Sequence, residues 1–128
     1  MKTPVLIPFN FSPARAAAVS SCARDCGFKV RIAASSEHRV PLSSISGPTP
    51  ADALSRPAFT DEMLVFAASD RERVFAFLER MKAGGIAPVA LKAVLTPYNI
   101  LWTPEELHRE LKKEHLALAR GEAASHRA

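Results

Sequence analysis

Histidine and cysteine pairs are the residues of this chain whose types and spacing could first suggest chemistry. His108 and His115 lie seven residues apart on a predicted helix, so they point the same way but are separated by two turns, about 10 Å. A zinc-binding helix places its histidines at i and i+4, as in H-E-x-x-H, and that motif is absent. Cys22 and Cys26 lack the C-x-x-C spacing of a redox motif and the further cysteines of an iron–sulfur site. We therefore predict no metal site and no cofactor, and interpret both pairs as packing residues.

Polar side chains follow three of the predicted strands, at the points where open α/β sheets bind ligands. If the sheet is parallel, these points share one edge, and each precedes a helix N-terminus, which favours an anion. The candidate ligand site consists of Asn10, Ser12, Ser69, Thr96, Asn99 and Trp102. A local interpretation also stays open, in which Asn99 caps its own turn and Trp102 fixes the last helix against the sheet.

Catalytic patterns are missing around these residues. The chain contains neither the G-x-G-x-x-G motif of dinucleotide sites nor the G-x-x-x-x-G-K-[ST] motif of phosphate-binding loops. A phosphoacceptor receiver would need an aspartate ending the third strand and an acidic pair after the first. This chain has Ala67-Ala68-Ser69 and Asn10-Phe11-Ser12 at those places. We therefore predict no catalytic residues and no phosphotransfer.

Four short segments predict the strands that would position the site. The runs "VLIPF" and "EMLVFAA" are continuously apolar, which is typical of strands buried on both faces, whereas "FKVRIAA" alternates like a half-exposed strand. The predicted strands are Val5–Phe9, Phe28–Ala34, Glu62–Ala68 and Val89–Thr96.

Capping signals predict the starts of three helices. Ser12 precedes a proline at the first helical position, and Ser69 begins an S-x-x-E capping box. A second capping box begins at Thr103 and again has proline at the first helical position. The helices are expected to end at about Cys26, Ala83 and Arg120.

A proline- and serine-rich segment, residues 35–60, connects the two β-α-β units. We interpret it as an irregular crossover inside one α/β domain that covers residues 1–120. About 25 residues without regular elements is long for a compact domain, which makes a functional loop the alternative. Residues 121–128 are expected to form a frayed tail. His38 and His126 fall in the crossover and the tail, and the sequence assigns them no role.

Two architectures fit the order β-α-β, crossover, β-α-β-α. The first is an α/β fold, a small three-layer sandwich of four mainly parallel strands in the order 2-1-3-4, similar in shape to a receiver or Rossmann domain. The second is a ferredoxin-like α+β sheet with one open face and an extra C-terminal helix. The continuously apolar strands and the long crossover favour the first.

Composition limits the choice of partners. The 128 residues have a formal charge of +4, and the basic residues are scattered. No aromatic residue accompanies the basic side chains of the last helix, which argues against nucleic acid. No secretory signal and no apolar run of about 18 residues is present, so we predict a cytoplasmic protein without membrane contact.

The segment Met63–His115 resembles a bacterial domain of unknown function, the family DUF 3783. The resemblance rests on the "M-L-V-F" strand, on the motif L-K-A-V-L-T-P-x-N-x-x-W-T from Leu91 to Thr103, and on the closing E-L-K-x-E-H from Glu110 to His115. The family carries no known activity, so the resemblance implies a domain and adds no function.

The expected function is that of a non-enzymatic binding or regulatory module. Its partner is unknown, and a protein partner or a homodimer would fit. This expectation rests on the lack of a nucleophile–base pair or a metal set. The alternative is a sensor of small anions or metabolites, or a small enzyme, with its site at the carboxyl ends of strands one, three and four.

Overall fold

The computed structural model describes residues 3–50 and 56–119. Three α-helices, four strands and two short 3₁₀ helices make up this part of the chain. In chain order they are β1 Val5–Phe9, α1 Pro13–Asp25, β2 Lys29–Val30, the 3₁₀ helices Ser35–Arg39 and Leu42–Ser44, β3 Met63–Ala67, α2 Arg71–Ala83, β4 Leu91–Val94 and α3 Pro104–Ala119. The predicted tail at 121–128 lies outside the described residues.

The four strands form one sheet in the order β2-β1-β3-β4, which confirms the predicted α/β class and strand order. β1 and β2 are parallel, and β3 and β4 are parallel. The expected parallel direction is wrong for the central pair, because β1 and β3 are antiparallel with Val5 opposite Ala67 and Phe9 opposite Met63. The sheet is therefore mixed, and its two β-α-β units run in opposite directions.

The path of the crossover explains this direction. After β2 the chain runs on beside β1, where the Ala33 amide donates to the Pro8 carbonyl at 3.0 Å. At the end of β1, the Asn10 side chain holds the carbonyls of Phe59 and Asp61, both at 3.0 Å. The crossover thus leaves and re-enters the sheet at one edge, so β3 must run back against β1.

One face of the sheet is covered by α1 and α2. Leu6 of β1 and Phe66 of β3 are paired across the sheet and are buried beneath these helices. Small residues let α1 lie close to the strands, and the Phe77 ring of α2 meets Phe66 edge-on at 5.7 Å. This core cluster also contains Val19, Cys22, Ala23, Phe28, Leu64, Met81 and Val89.

The opposite face is covered by α3 and by the crossover. Because neighbouring strand residues point to opposite faces, Ile7 and Val65 lie on this side, opposite each other in the sheet. Leu107 of α3 and Leu42 of the second 3₁₀ helix pack onto them as members of one buried cluster. Both faces are covered, so the three-layer sandwich is observed and the ferredoxin-like sheet with an open face is not.

Several element ends differ from the sequence predictions. β4 spans Leu91–Val94 rather than Val89–Thr96, and β3 lacks the predicted end residues Glu62 and Ala68. β2 contains two residues rather than the seven of Phe28–Ala34, although the Arg31 and Ala33 amides still bond to β1. α2 begins after Asp70, whose carboxylate accepts the Arg73 amide at 2.8 Å, so Ser69 is not its cap. In the part of the chain that the structure describes, no helix combines the length and the apolarity needed to cross a membrane.

Candidate binding surface

The mixed sheet divides the predicted ligand site between two edges. Asn10 and Ser12 follow β1, while Ser69 follows β3 and Thr96 and Asn99 follow β4. Because β1 is antiparallel to β3, the carboxyl end of β1 lies at one end of the sheet. The carboxyl ends of β3 and β4, which are parallel to each other, lie at the opposite end. The six predicted residues, Trp102 included, therefore do not meet in one pocket.

The two residues that follow β1 have structural tasks. Asn10 has a φ of 64° and uses its amide to hold the end of the crossover beside β1. Ser12 caps α1 by accepting the Arg15 amide at 3.4 Å. Both side chains are thereby engaged by the chain's own backbone, as expected for turn and cap residues.

The Thr96–Asn99 turn at the opposite edge is closed by its own side chains. Asn99 accepts the Thr96 amide at 2.8 Å and donates to the Val94 carbonyl at 3.2 Å. The Thr96 hydroxyl accepts the amides of Tyr98 and Asn99 at 3.2 and 3.3 Å. The local interpretation of Asn99 is therefore favoured, and the turn is braced without a ligand.

The residues after this turn are fixed to the crossover. The amides of Leu42 and Ser43 donate to the carbonyls of Trp102 and Ile100 at 2.8 and 2.9 Å. Trp102 is partly buried and packs against the core cluster beneath α3. Thr103 and Glu106 form the predicted capping box that starts α3. A rigid turn thus projects from the sheet just after β4.

This turn exposes large apolar side chains. Tyr98 is 89% exposed and Leu101 is 73% exposed. Exposed apolar side chains that lie together, rather than singly, are typical of protein interfaces, and aromatic anchors dominate such interfaces. Ser69 does not contribute, because its hydroxyl donates to the Asp70 carbonyl at 3.2 Å.

β4 next to this turn is an edge strand. No strand of the described ranges pairs with its outer side. On α2, Phe75 is 64% exposed and shares a face with Leu78, Glu79 and Lys82, by the three- and four-residue spacing of a helix. We call this region the β4 flank: the outer edge of β4, the α2 face of Phe75, Leu78, Glu79 and Lys82, and the turn at residues 97–101.

Lys92 is the charged residue of β4. Its ammonium group donates to the Val89 carbonyl, and burial lowers the pKa of the amine below its ordinary value. No sequence pattern assigned Lys92 a role. The sequence did contain a signal for this residue, because a lysine lies inside the apolar run "LKAVL". Successive side chains of a strand point to opposite faces, so Lys92 lies on the face opposite Leu91 and toward α2.

A second polar cluster joins the crossover to α3. The Asp61 carboxylate meets Nε2 of His108 at 2.8 Å and Nζ of Lys112 at 3.2 Å. The hydrogen bond from His108, followed by that from Lys112, lowers the pKa of Asp61. His115 is exposed one turn beyond Lys112.

Two histidines enclose a phenylalanine beside this cluster. The Phe59 ring stacks on His38 at 4.3 Å and on His108 at 4.4 Å between centroids. His38 is only 1% exposed, and its Nδ1 accepts the Ala58 amide at 3.1 Å. Sequence reasoning missed His38 and Asp61, whose partners are distant in the chain. The cluster is best explained as the anchor of α3, because its charged groups neutralise one another.

Metal binding finds no support in the geometry. Among residues 3–50 and 56–119, no three histidine, cysteine, aspartate or glutamate side chains are grouped so that they could hold an ion. Cys22 is buried, Cys26 is partly buried, and both are free thiols. Burial is the main cause that raises the pKa of the Cys26 thiol, which disfavours the reactive thiolate.

Comparison with known proteins found one match to a family model. Residues 62–118 match the model of a family described as Domain of unknown function (DUF3783), which confirms the resemblance found for residues 63–115. The matched segment contains the whole β4 flank. No curated protein and no solved structure matches the chain.

Proposed function

We propose that this protein is a non-enzymatic binding module that holds an extended segment of a partner protein along the β4 flank. The observation that carries the proposal is the outer edge of β4, with which no described strand pairs and which is bordered by exposed apolar side chains of α2 and of the following turn. An extended segment that joins a sheet edge gains main-chain hydrogen bonds, and pockets beside the edge select its side chains.

The main chain of β4 offers one short stretch for such pairing. The Leu95 amide donates to the Phe66 carbonyl of β3 at 2.8 Å, and the main-chain groups of successive residues point to opposite sides of a strand. The amide and carbonyl of Lys92 therefore point outward, as does the Val94 amide. The Val94 carbonyl is already taken by Asn99 at 3.2 Å, which limits pairing to a few residues.

Exposed apolar side chains toward the carboxyl end of this stretch would supply most of the binding free energy. Tyr98 and Leu101 extend from the turn after β4, and Phe75 extends from the first turns of α2. Tyrosine on a rigid support loses little conformational entropy on binding, because it has two rotatable side-chain bonds. The hydrogen bonds within the Thr96–Asn99 turn supply that rigidity.

A different protein fits this surface better than a second copy of the chain. Two β4 edges paired antiparallel about a two-fold axis would bring both Lys92 ammonium groups to the same face of the joined sheet. Like charges opposite each other destabilise a strand pair, and an inward-facing lysine is a usual protection against edge-to-edge association. The homodimer interpretation therefore has less support than a heterologous partner.

The alternative of a sensor or small enzyme also has less support. It requires the carboxyl ends of β1, β3 and β4 to meet, and they lie at opposite edges of the sheet. Asn10, Ser12 and Asn99, which would form its polar groups, are each bonded to the backbone beside them. A binding surface made of exposed apolar groups does not require the hydrogen-bonding groups of these polar side chains to be available to a ligand.

Affinity capture with paired variants tests the proposal. Three proteins are immobilised and exposed to lysate of the source cells. They are the wild type, the double variant Tyr98→Ser with Leu101→Ser, and the variant Val94→Pro. Proline at Val94 removes only an outward amide, so it should block edge pairing and leave β3–β4 bonds intact. Leu118→Ser removes an apolar side chain that is 53% exposed on α3 and serves as the control.

The expected result is a protein enriched by wild type and Leu118→Ser but lost from both flank variants. Equal capture by all four proteins would contradict the proposal. Analytical ultracentrifugation of the same set provides the second reading: a wild-type dimer that the flank variants dissociate would assign the surface to a second copy and overturn the heterologous partner.

A further inference from the structure

A groove of about 460 Å³ lies between α2 and β4 on the β4 flank. Its walls are mainly apolar and are formed by Leu78 and Met81 of α2 and by Ile86 and Pro88, which precede β4. Lys92 extends into it from β4, while Glu79 and Lys82 stand at its exposed rim. The groove is large enough for one apolar side chain and the main chain that carries it.

Lys92 is the chemically distinctive group of this groove. An ammonium group has three N–H donors, and the Val89 carbonyl accepts from it. Within the described residues no carboxylate forms an ion pair with Lys92, in contrast to Lys112, which lies 3.2 Å from the Asp61 carboxylate. A partly buried cation with donors to spare is a place where a carboxylate gains charge-assisted hydrogen bonds.

We infer that the groove receives the C-terminal residue of the partner's extended segment, with its terminal carboxylate on Lys92 and its apolar side chain between Leu78, Met81 and Ile86. This inference rests on the proposed function and names the partner chemistry. A terminal residue carries a carboxylate and a side chain on one carbon atom, which matches a cation and an apolar wall in one groove. Capture of a C-terminal carboxylate at the end of a paired strand is a recurring mode of peptide recognition.

The direction of the bound segment follows from the position of Lys92. The groove is bounded by residues before β4 and by the last turns of α2, so it lies at the beginning of β4. A segment antiparallel to β4 ends at this point, whereas a parallel segment would begin there with a positive amino group. Lys92 therefore selects the antiparallel direction, and the upstream residues of the segment run toward Tyr98.

Two synthetic hexapeptides test the inference. Both have the sequence Ala-Thr-Val-Thr-Val-Leu, and one is the free acid while the other is the C-terminal amide. Binding is followed by NMR chemical-shift titration of wild type, Lys92→Met and Lys113→Met. Methionine keeps the length of the lysine stem, and Lys113 is an exposed lysine of α3 paired with Glu110 at 3.4 Å. The amide spectrum of each variant verifies that it is folded.

Wild type and Lys113→Met should bind the acid about tenfold more tightly than the amide, as expected for one charge-assisted hydrogen bond. The shifts should concentrate at Leu78, Ile86 and residues 91–94. Lys92→Met should bind acid and amide equally. Equal binding by wild type, a preference that persists in Lys92→Met, or binding of neither peptide at millimolar concentration would each overturn the inference.

A titration with octanoate distinguishes recognition of a peptide from recognition of any apolar carboxylate. If octanoate fills the groove as tightly as the free-acid peptide, the main chain contributes nothing and the peptide assignment is wrong. The proposed function fails independently of these outcomes, because capture that depends on Tyr98, Leu101 and Val94 can persist when Lys92 does not recognise a carboxylate.

Discussion

Two regions of the molecule present opposite kinds of surface. One lies at the carboxyl end of β1, and the other is the β4 flank. At the first, the Asn10 amide bonds two carbonyls, and Asp61 meets both His108 and Lys112. At the second, Tyr98 stands in solvent and Lys92 has no carboxylate partner in the described chain. Polar groups that complete one another stabilise a fold, whereas the proposed recognition rests on a strand edge with no partner among the described residues and on exposed apolar groups.

Two phenylalanines give this comparison its largest expected effect. Phe59 is 7% exposed and stacked between two histidines, while Phe75 is 64% exposed on the β4 flank. Phe59→Ala should lower the free energy of unfolding by about 3 kcal/mol or more, because it leaves a cavity under α3. Phe75→Ala should change it by less than about 0.5 kcal/mol. Urea denaturation of both variants measures the difference.

Equal destabilisation by the two alanine variants would contradict the division of the molecule into an anchor and a recognition surface. A binding assay sharpens the same pair. Once a partner is known, Phe75→Ala should weaken binding and Phe59→Ala, at a temperature where it is folded, should not.

Elements of the fold that depend on local signals could be predicted from the sequence. β1 was predicted at its observed bounds, and the Thr103–Glu106 capping box begins α3 where expected. The direction of β3 could not be predicted, because it depends on where the crossover re-enters the sheet. That point is fixed by Asn10 bonding to carbonyls 49 and 51 residues later, and no periodicity or capping pattern encodes such a contact.

Substitution of two asparagines gives the next largest effect. Asn10→Ala should cost about 2 kcal/mol, since two long-range hydrogen bonds disappear and alanine is strained at a φ of 64°. Asn99→Ala should cost less, about 1 kcal/mol, because its bonds reach no further than five residues. Thermal and urea unfolding compare the two variants.

Glycine at position 10 separates the two causes. Asn10→Gly relieves the strain and still lacks the amide, so it should be more stable than Asn10→Ala and less stable than wild type. If Asn99→Ala were the more damaging variant, the turn after β4 would be the structural element and the end of β1 the better functional candidate.

The candidate site could be predicted only in part for a similar reason. The sequence indicated the turn after β4, but it suggested Thr96 and Asn99 as ligand groups, whereas they brace the turn that exposes Tyr98. Asp61 and His108 are 47 residues apart, so their pairing was invisible in the sequence. The same polar residue types bond to nearby backbone groups and bind ligands. Only the geometry distinguishes the two roles.

The smallest effect concerns the Asp61 carboxylate and its dependence on pH. Its pKa is lowered in the folded protein, chiefly by the hydrogen bond from His108, so the ionised form stabilises the fold. This contribution is present above the unfolded-state pKa of about 4 and is lost as pH falls through the lower folded-state value. Because the Asp61 side chain is 44% exposed, Asp61→Asn should cost less than about 1 kcal/mol at pH 7.

Urea denaturation of wild type and Asp61→Asn at pH 7, 5 and 2.5 measures this contribution. The difference should be retained at pH 5 and should shrink at pH 2.5, where the wild-type carboxyl is increasingly protonated and resembles the amide. Glu110→Gln is the control, because its carboxylate is paired at 3.4 Å with Lys113, which is itself exposed, and should matter little at any pH. A difference that stays constant down to pH 2.5 would mean that the shape of Asp61, rather than its charge, anchors α3. The anchor would then differ from the β4 flank in packing alone.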